Sequence, residues 1–172
     1  MRVEIRRIRA DEGPVLMRVR LLSLLDAPYA FGATYTDTIQ RPAEHWAKRA
    51  ETASAGGTSA VYLGMADGSP VAIAGAFQPE DDPDCRHVFG VWVEPALRGQ
   101  GLGRRIVETV VSWAEGVGAT RTELWVTEAN TPAVELYEAL GFEDSGQRQA
   151  HPSDPTVMER KLVRRADRAR SA

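Results

Sequence analysis

The sequence predicts a mixed α/β fold: a mostly antiparallel sheet of about six to seven strands with a parallel central pair, flanked by about four helices. Three observations lead there. Short β-branched runs outnumber the helical segments, the early runs are joined by hairpin signals, and residues 87–126 alone follow the strand–helix–strand order of a parallel crossover.

Val3, Ile5 and Ile8, set among charges in MRVEIRRIRADEG, predict a first strand rather than a signal peptide, which would need a continuous apolar stretch. Glu12 to Leu25 has helical periodicity, with Val15, Leu16, Val19, Leu22 and Leu25 on one stripe, and Pro28 ends it. YAFGATYTDTIQ reads as irregular, and Pro42 then opens a short helix, AEHWAKRAE. Thr58–Met65 and Val71–Phe77 are strands joined through Asp67-Gly68, a hairpin dipeptide. His87–Val93 is a strand. Leu102–Val117 is a helix with Leu102, Ile106, Val110 and Trp113 on its apolar stripe, closed by Gly116 and Gly118. Thr122–Val126 is a strand, Thr131–Leu140 a helix ended by Gly141, and the segments from Phe142 and from Thr156 to Val163 are the last strands.

With 172 residues, 43% hydrophobic, 26% charged and a net charge of −3, the chain fits one soluble domain over residues 1–163. Residues 164–172, with Arg164, Arg165, Arg168 and Arg170, read as a basic, disordered tail. No apolar span suits a membrane helix, and no overall basic footprint suits nucleic acid. Cys85 is the single cysteine, which excludes an internal disulfide and fits a cytoplasmic setting. His45, His87 and His151 show no ligand spacing, so no metal is expected.

The informative stretch is VWVEPALRGQGLGRRIV, in which Gly99, Gly101 and Gly103 sit just where a helix begins. A helix start carries unpartnered N–H groups and a locally positive field, and glycines let an anion approach them. Arg98, Arg104 and Arg105 add charge, so the turn reads as a phosphate cradle. It lacks the Gly-Lys-Ser/Thr of a P-loop and the spacing of the dinucleotide fingerprint. A glycine-rich corner that binds nothing is the plain alternative.

R-G-Q-G-L-G (Arg98–Gly103) matches the [Q/R]-x-x-G-x-[G/A] signature of the GNAT superfamily of acyl-CoA-dependent N-acyltransferases, and E-A-N-T-P-A-V-E-L-Y-E-A-L-G-F (Glu128–Phe142) resembles its second signature. The order of elements resembles the GNAT fold as well. The resemblance implies acetyl-CoA as co-substrate, its pyrophosphate held by backbone amides of Arg98, Gly99, Gln100, Gly101, Leu102, Gly103 and Arg104. It also implies a pantetheine arm lying along Val91 and Val93, with contacts from Asn130 and Ala133. Asn130 also stands where a helix cap is due. Tyr137, by default a core aromatic, takes by resemblance the role of general acid to the departing thiolate. A base must accept the proton of the attacking amine: His87 matches a place some members use, and Glu94 is the alternative.

Cys85, two residues from His87, offers a covalent route that direct attack in a ternary complex outranks. Phe31 and Tyr35 are the acceptor-site candidates, and the acidic run PEDDPD has the charge to attract a cationic amine. The implied activity is N-acetylation of a primary amine on a small molecule, peptide or protein, with a homodimer as the implied assembly. The alternative is a non-catalytic acyl-CoA sensor or partner-binding module of the same fold.

Overall fold

The computed structural model describes residues 2–28 and 33–167. Its first strand, β1 (Glu4–Arg7), leads into α1 (Gly13–Asp26), where Pro14 occupies a first-turn position whose missing N–H would have no partner anyway. The buried face of α1 is not the predicted stripe. Leu16, Val19, Ser23 and Leu24 are buried, whereas Leu22 and Leu25 are exposed. Arg20 falls on the buried face, and its polar side chain, with that of Ser23, disguises the helical period. Residues 33–40, read as irregular, contain a short helix, α2 (Tyr35–Ile39). A Thr-x-x-Asp box starts it: Thr34 Oγ1 accepts from the Asp37 N–H at 3.1 Å and donates to the Asp37 carboxylate at 2.7 Å.

After α3 (Ala43–Ser54) come β2 (Ser59–Ala66) and β3 (Ser69–Phe77), joined by Asp67-Gly68 with φ of 49° and 78°, the primed turn that Asp-Gly favours. Next are β4 (Cys85–Val93), a short 3₁₀ turn (Pro95–Leu97), α4 (Leu102–Gly116) and β5 (Arg121–Thr127). The chain then forms α5 (Thr131–Ala139), β6 (Glu143–His151) and β7 (Asp154–Arg165). The strands form one sheet in the order β1-β2-β3-β4-β5-β7-β6, and only β4 and β5 are parallel. One face buries α4 and α5 through Ile106, Val107, Val110, Tyr137 and Phe142. The other packs α1 and α3 through Leu16, Val19, Trp46 and Trp92. There Gly13 lets the helices close: a Cβ on it would stand 2.9 Å from the Ala47 nitrogen.

Two departures from regular pairing create the site. β4 pairs with β3 at Phe89–Gly75 and again at Trp92–Ile73, so β4 spends two residues, Gly90 and Val91, where β3 spends one. Gly90 takes φ of 65° in this bulge. The extra residue reverses the alternation: Phe89 and Trp92 both pack toward α1 and α3, and Val88, Val91 and Val93 toward α4. Beyond the bulge the parallel partner is gone, because β4 and β5 pair only at Cys85–His87 with Arg121–Glu123.

The domain boundary at 163 needs correction. β7 continues to Arg165, and the Arg164 guanidinium donates to the Leu140 carbonyl at 3.0 Å and pairs with Glu115. Its aliphatic stem lies on the fold while its head finds acceptors, which a count of charges does not reveal. Arg168 and Arg170 lie outside the described residues. Among the described residues no helix is long and apolar enough to cross a membrane.

Candidate active site

Where β4 and β5 part, a cleft of about 600 Å³ opens between them, lined by residues 88–93, residues 124–127, the glycine turn and α5. Parting leaves the β4 backbone around Val91 and Val93 without a parallel neighbour, and both residues line the cleft. Their side chains also pack against the α4 core, so they serve both purposes.

The glycines divide into two kinds. Gly99 and Gly101 have φ of 73° and 80°, a left-handed backbone that side chains resist, and a Cβ on either would point into open space. Gly103 is ordinary helix, and a Cβ on it would make only ordinary contacts, 3.5 Å from Leu136 of α5 and 3.6 Å from Val93. The first bond of α4 runs from the Arg105 N–H to the Gly101 carbonyl at 3.1 Å. The N–H groups of Leu102, Gly103 and Arg104 therefore find no backbone acceptor among the described residues. Gly99, Gly101, Gly103, Arg98 and Arg104 all line the cleft, so free donors and two guanidinium groups sit at one place. That arrangement suits a phosphate ester. Leu102 offers only its backbone, because its side chain is in the core, and Gln100 is exposed with its amide bonded to the Ala96 carbonyl at 3.2 Å.

Asn130, Ala133 and Tyr137 line the cleft from α5. Asn130 does the capping expected of it, accepting from the Ala133 N–H at 3.4 Å, while its position keeps it in the wall. Tyr137 is 7% exposed and packs against Phe142 with ring centroids 5.8 Å apart. Burial pushes its phenol well above the usual range, so it is fully protonated at neutral pH.

The candidate bases stand elsewhere. His87 sits at the paired end of β4, between Phe77 (5.2 Å) and Glu123 (3.6 Å), outside the cleft lining. Burial lowers its pKa more than Glu123 raises it, so the ring is neutral near pH 7. Glu94 is exposed on the far side of β4, beside Pro95 and Trp92. Cys85 is fully buried as the first residue of β4, and burial, followed by Glu123, pushes its thiol up to about 11. It is no thiolate nucleophile. Tyr35 packs against the α1–α3 core and not into the cleft, and Phe31 lies outside the described residues. Nor does PEDDPD reach the site: Asp82 pairs with Arg121 at the opposite end of β4 from the glycine turn.

Residues 20–142 match the model of the acetyltransferase (GNAT) family. The chain belongs to the GNAT family. Among curated proteins it is 29% identical over 139 residues to a mycothiol acetyltransferase of Rhodococcus erythropolis, covering 77% of this chain and 44% of the relative. It is 31% identical over 97 residues to human N-acetyltransferase 8B, covering 54% of this chain and 42% of the relative. The chain thus spans less than half the length of these two relatives. A GNAT acetyltransferase from Streptococcus pneumoniae has the same fold, with a TM-score of 0.79 at 20% identity over 96% of this chain and 100% of its own. So does PaiA N-acetyltransferase from Thermoplasma acidophilum, solved in complex with coenzyme A, with a TM-score of 0.75 at 12% identity over 96% and 100%.

Two features of this GNAT site escape the sequence reading. The bulge at Gly90 has no marker beyond a glycine inside a strand, itself a recognised bulge signal. The second feature is Asp26, the last residue of α1. Its carboxylate accepts from Trp92 Nε1 at 2.9 Å and pairs with the Arg98 guanidinium, whose Nε donates to the Val93 carbonyl at 2.9 Å. Asp26 thereby ties the glycine turn and β4 to α1. Separations of 66 and 72 residues hide such a tie from any local pattern.

Proposed function

We propose that the chain is an N-acetyltransferase that moves the acetyl group of acetyl-CoA onto a primary amine by direct attack, with both substrates bound at once. One observation carries the reading: the opening between the parted β4 and β5 leads to a left-handed glycine turn with free N–H groups at a helix start. The N–H groups of Leu102, Gly103 and Arg104 would hold the pyrophosphate, with Arg98 and Arg104 adding charge. The exposed backbone beside Val91 and Val93 would hold the pantetheine arm. Neighbours solved with coenzyme A or acetyl-CoA support the same assignment.

Acetyl-CoA supplies the activated thioester. The neutral amine nitrogen attacks the carbonyl carbon, the C–S bond breaks, and the sulfur leaves as a thiolate that takes its proton from Tyr137; the proton shed by the new amide nitrogen passes to solvent at the open cleft, and solvent returns a proton to the phenolate. A buried phenol is a weaker acid than usual, yet the same desolvation makes the thiolate leaving beside it a stronger base, so the transfer stays matched. His87 and Glu94 take no step, since neither lines the cleft. The lone cysteine supports a cytoplasmic setting.

Calorimetric titration with acetyl-CoA tests the reading, comparing the native chain with Gly101→Glu. A glutamate there must adopt φ of 80° and place a carboxylate in the space a phosphate needs. Saturable binding by the native chain, with at least about a tenfold loss in a variant of unchanged circular dichroism, is expected. Absence of binding to the native chain overturns the reading.

A further inference from the structure

The cleft has a second end, and rings rather than charges line it. Coenzyme A, held at the glycine turn and along Val91 and Val93 toward Tyr137, would leave free the part walled by Ala27, Phe89, Gly90, Trp92, Trp125 and Thr127. Phe89 and Trp125 set its character. β4 and β5 last pair at His87 with Glu123, so two residues on, across the opening, these rings are the next residues of the same face. That face is the one away from α4. Phe89 packs toward α1 and α3, and Trp125 alternates with Leu124 and Val126, which are buried on the α4 side. Both rings are half-buried.

No group in this wall takes a proton from an incoming amine. Among the described residues that line the cleft, the titratable side chains are Arg98, Arg104 and Tyr137. The guanidinium groups stay charged, and burial keeps the phenol protonated. Residues outside the described set contain no aspartate, glutamate or histidine. The carboxylates that flank this end in the chain point to other partners: Asp26 pairs with Arg98, Glu123 with Lys161 at 3.2 Å, and Glu128 with Arg148. Glu94 is on the far side of β4. Cations, not carboxylates, stand over the two rings, Arg49 at 5.7 Å from the Phe89 centroid and Lys161 at 5.6 Å from that of Trp125. An ammonium ion would therefore enter an apolar mouth with no anion to meet it and no base to discharge it. A neutral amine meets neither obstacle.

We propose that the acceptor is a weakly basic primary amine next to an aromatic or other apolar group, taken from solution in its neutral form, and that Phe89 and Trp125 hold the apolar group while the nitrogen reaches the thioester. This substrate class deepens the acetyl-transfer reading above and rests on it. The α-amino group of an amino-acid amide or peptide, with a pKa of about 8, is about one-tenth neutral at pH 7, whereas an alkyl amine near 10.4 is neutral at about one part in 2,500. An amine carried directly on an aromatic ring is a weaker base still. With no base lining the cleft, that difference passes into kcat/KM.

The experiment is a panel of amines assayed with acetyl-CoA by free-thiol release between about pH 6 and pH 9. Phenylalanine amide is weakly basic and aromatic, glycine amide weakly basic and small, phenethylamine strongly basic and aromatic, and propylamine strongly basic and small; aniline carries its nitrogen on the ring. At pH 7 phenylalanine amide should exceed phenethylamine about thirtyfold or more in kcat/KM. The stronger base regains, through its nucleophilicity, only part of the roughly 250-fold difference in neutral amine. Phenylalanine amide should also exceed glycine amide about tenfold, through its ring. Each profile should rise about tenfold per pH unit and level at that amine's own pKa, so the gap between phenylalanine amide and phenethylamine closes toward pH 9. Trp125→Ala should shrink the advantage of phenylalanine amide over glycine amide about fivefold, through KM. Where that variant is poorly folded, Phe89→Leu, which keeps an apolar side chain against the core, carries the same test. Turnover of aniline places the nitrogen on the ring; turnover of phenylalanine amide without aniline places it on the α-carbon.

An alkyl amine turned over as well as the amino-acid amides at pH 7 overturns the inference, as does glycine amide matching phenylalanine amide. So does a single inflection shared by every amine, which would report a base on the protein, or an aromatic advantage that the ring variants leave untouched. Glu123, two residues before Trp125 on the same face, is the carboxylate to exclude. With Glu123→Gln the profile should stay with the amine; a profile that moves makes Glu123 a base relayed through water and overturns the inference. Saturable acetyl-CoA binding with no amine acetylated overturns it too, leaving the coenzyme site standing. Failure to bind acetyl-CoA removes the parent reading and this one together.

Discussion

The two walls of the cleft are built in different ways. On the coenzyme side, the glycine turn, the free N–H groups of α4, Asn130 and Tyr137 come from one continuous stretch, residues 98–137, and most of what they contribute is backbone. On the side facing α1, the wall is held by residues of separate elements, Asp26 at the end of α1, Trp92 beyond the Gly90 bulge of β4 and Arg98 before α4, and what they contribute is side-chain contact. A backbone requirement leaves a mark at fixed spacing, because only glycine takes φ near 80° at no cost. A side-chain constellation drawn from remote helices leaves none until the chain has folded.

The largest effect should come from breaking the frame on the α1–α3 side. Gly13→Val places a branched side chain where a Cβ already comes within 2.9 Å of the Ala47 nitrogen and 3.0 Å of the Trp46 carbonyl carbon. Backbone cannot yield as a flexible side chain can, so about 3 kcal/mol of stability should be lost, seen in urea unfolding as a lower midpoint at unchanged slope. A loss below about 1 kcal/mol would mean that the two helices slide, and that α1 is no rigid anchor for Asp26.

On the coenzyme side the comparable break is chemical. Tyr137→Phe keeps the ring against Phe142 and removes only the hydroxyl. The expected result is a fall of about 100-fold in kcat with acetyl-CoA affinity and thermal midpoint nearly unchanged. An unaltered kcat takes Tyr137 out of the chemistry. Coenzyme binding without turnover by the native chain would instead favour a sensor of the same fold.

How much of this was legible follows the same division. The mixed sheet, the parallel pair and the Asp67-Gly68 hairpin stand in the sequence as periodicity and turn chemistry, and the structure has them. Helix α2 was missed although its Thr34-x-x-Asp37 box was in plain view, because a five-residue helix has no period to detect. The buried face of α1 was misread by one step, since Arg20 and Ser23 occupy it and looked like interruptions. His87 was selected for its type and its strand, yet type and strand do not say which side of the sheet a ring faces or whether the cleft reaches it. Arg164 was assigned to a tail because charge density is visible in sequence and a partner such as Glu115 is not.

The smallest effect concerns the residue that joins the two walls. Asp26 closes α1, accepts from Trp92 on β4 and pairs with Arg98 at the glycine turn. Asp26→Asn preserves an oxygen for the indole N–H but removes the charge that Arg98 meets. With the Arg98 side chain 49% exposed, the pair is worth about 0.2–1 kcal/mol, so acetyl-CoA binding should weaken about twofold to fivefold, and less at high salt. The sign is the informative part. Asp26 and a pyrophosphate both attract the same guanidinium, and two protein acceptors, Asp26 and the Val93 carbonyl, hold it in place. Weaker binding by the variant means that this tether presents Arg98 ready for phosphate. Tighter binding means that Asp26 restrains Arg98 from the phosphate, and then the end of α1, the helix that carries Arg20, would be released whenever the coenzyme arrives.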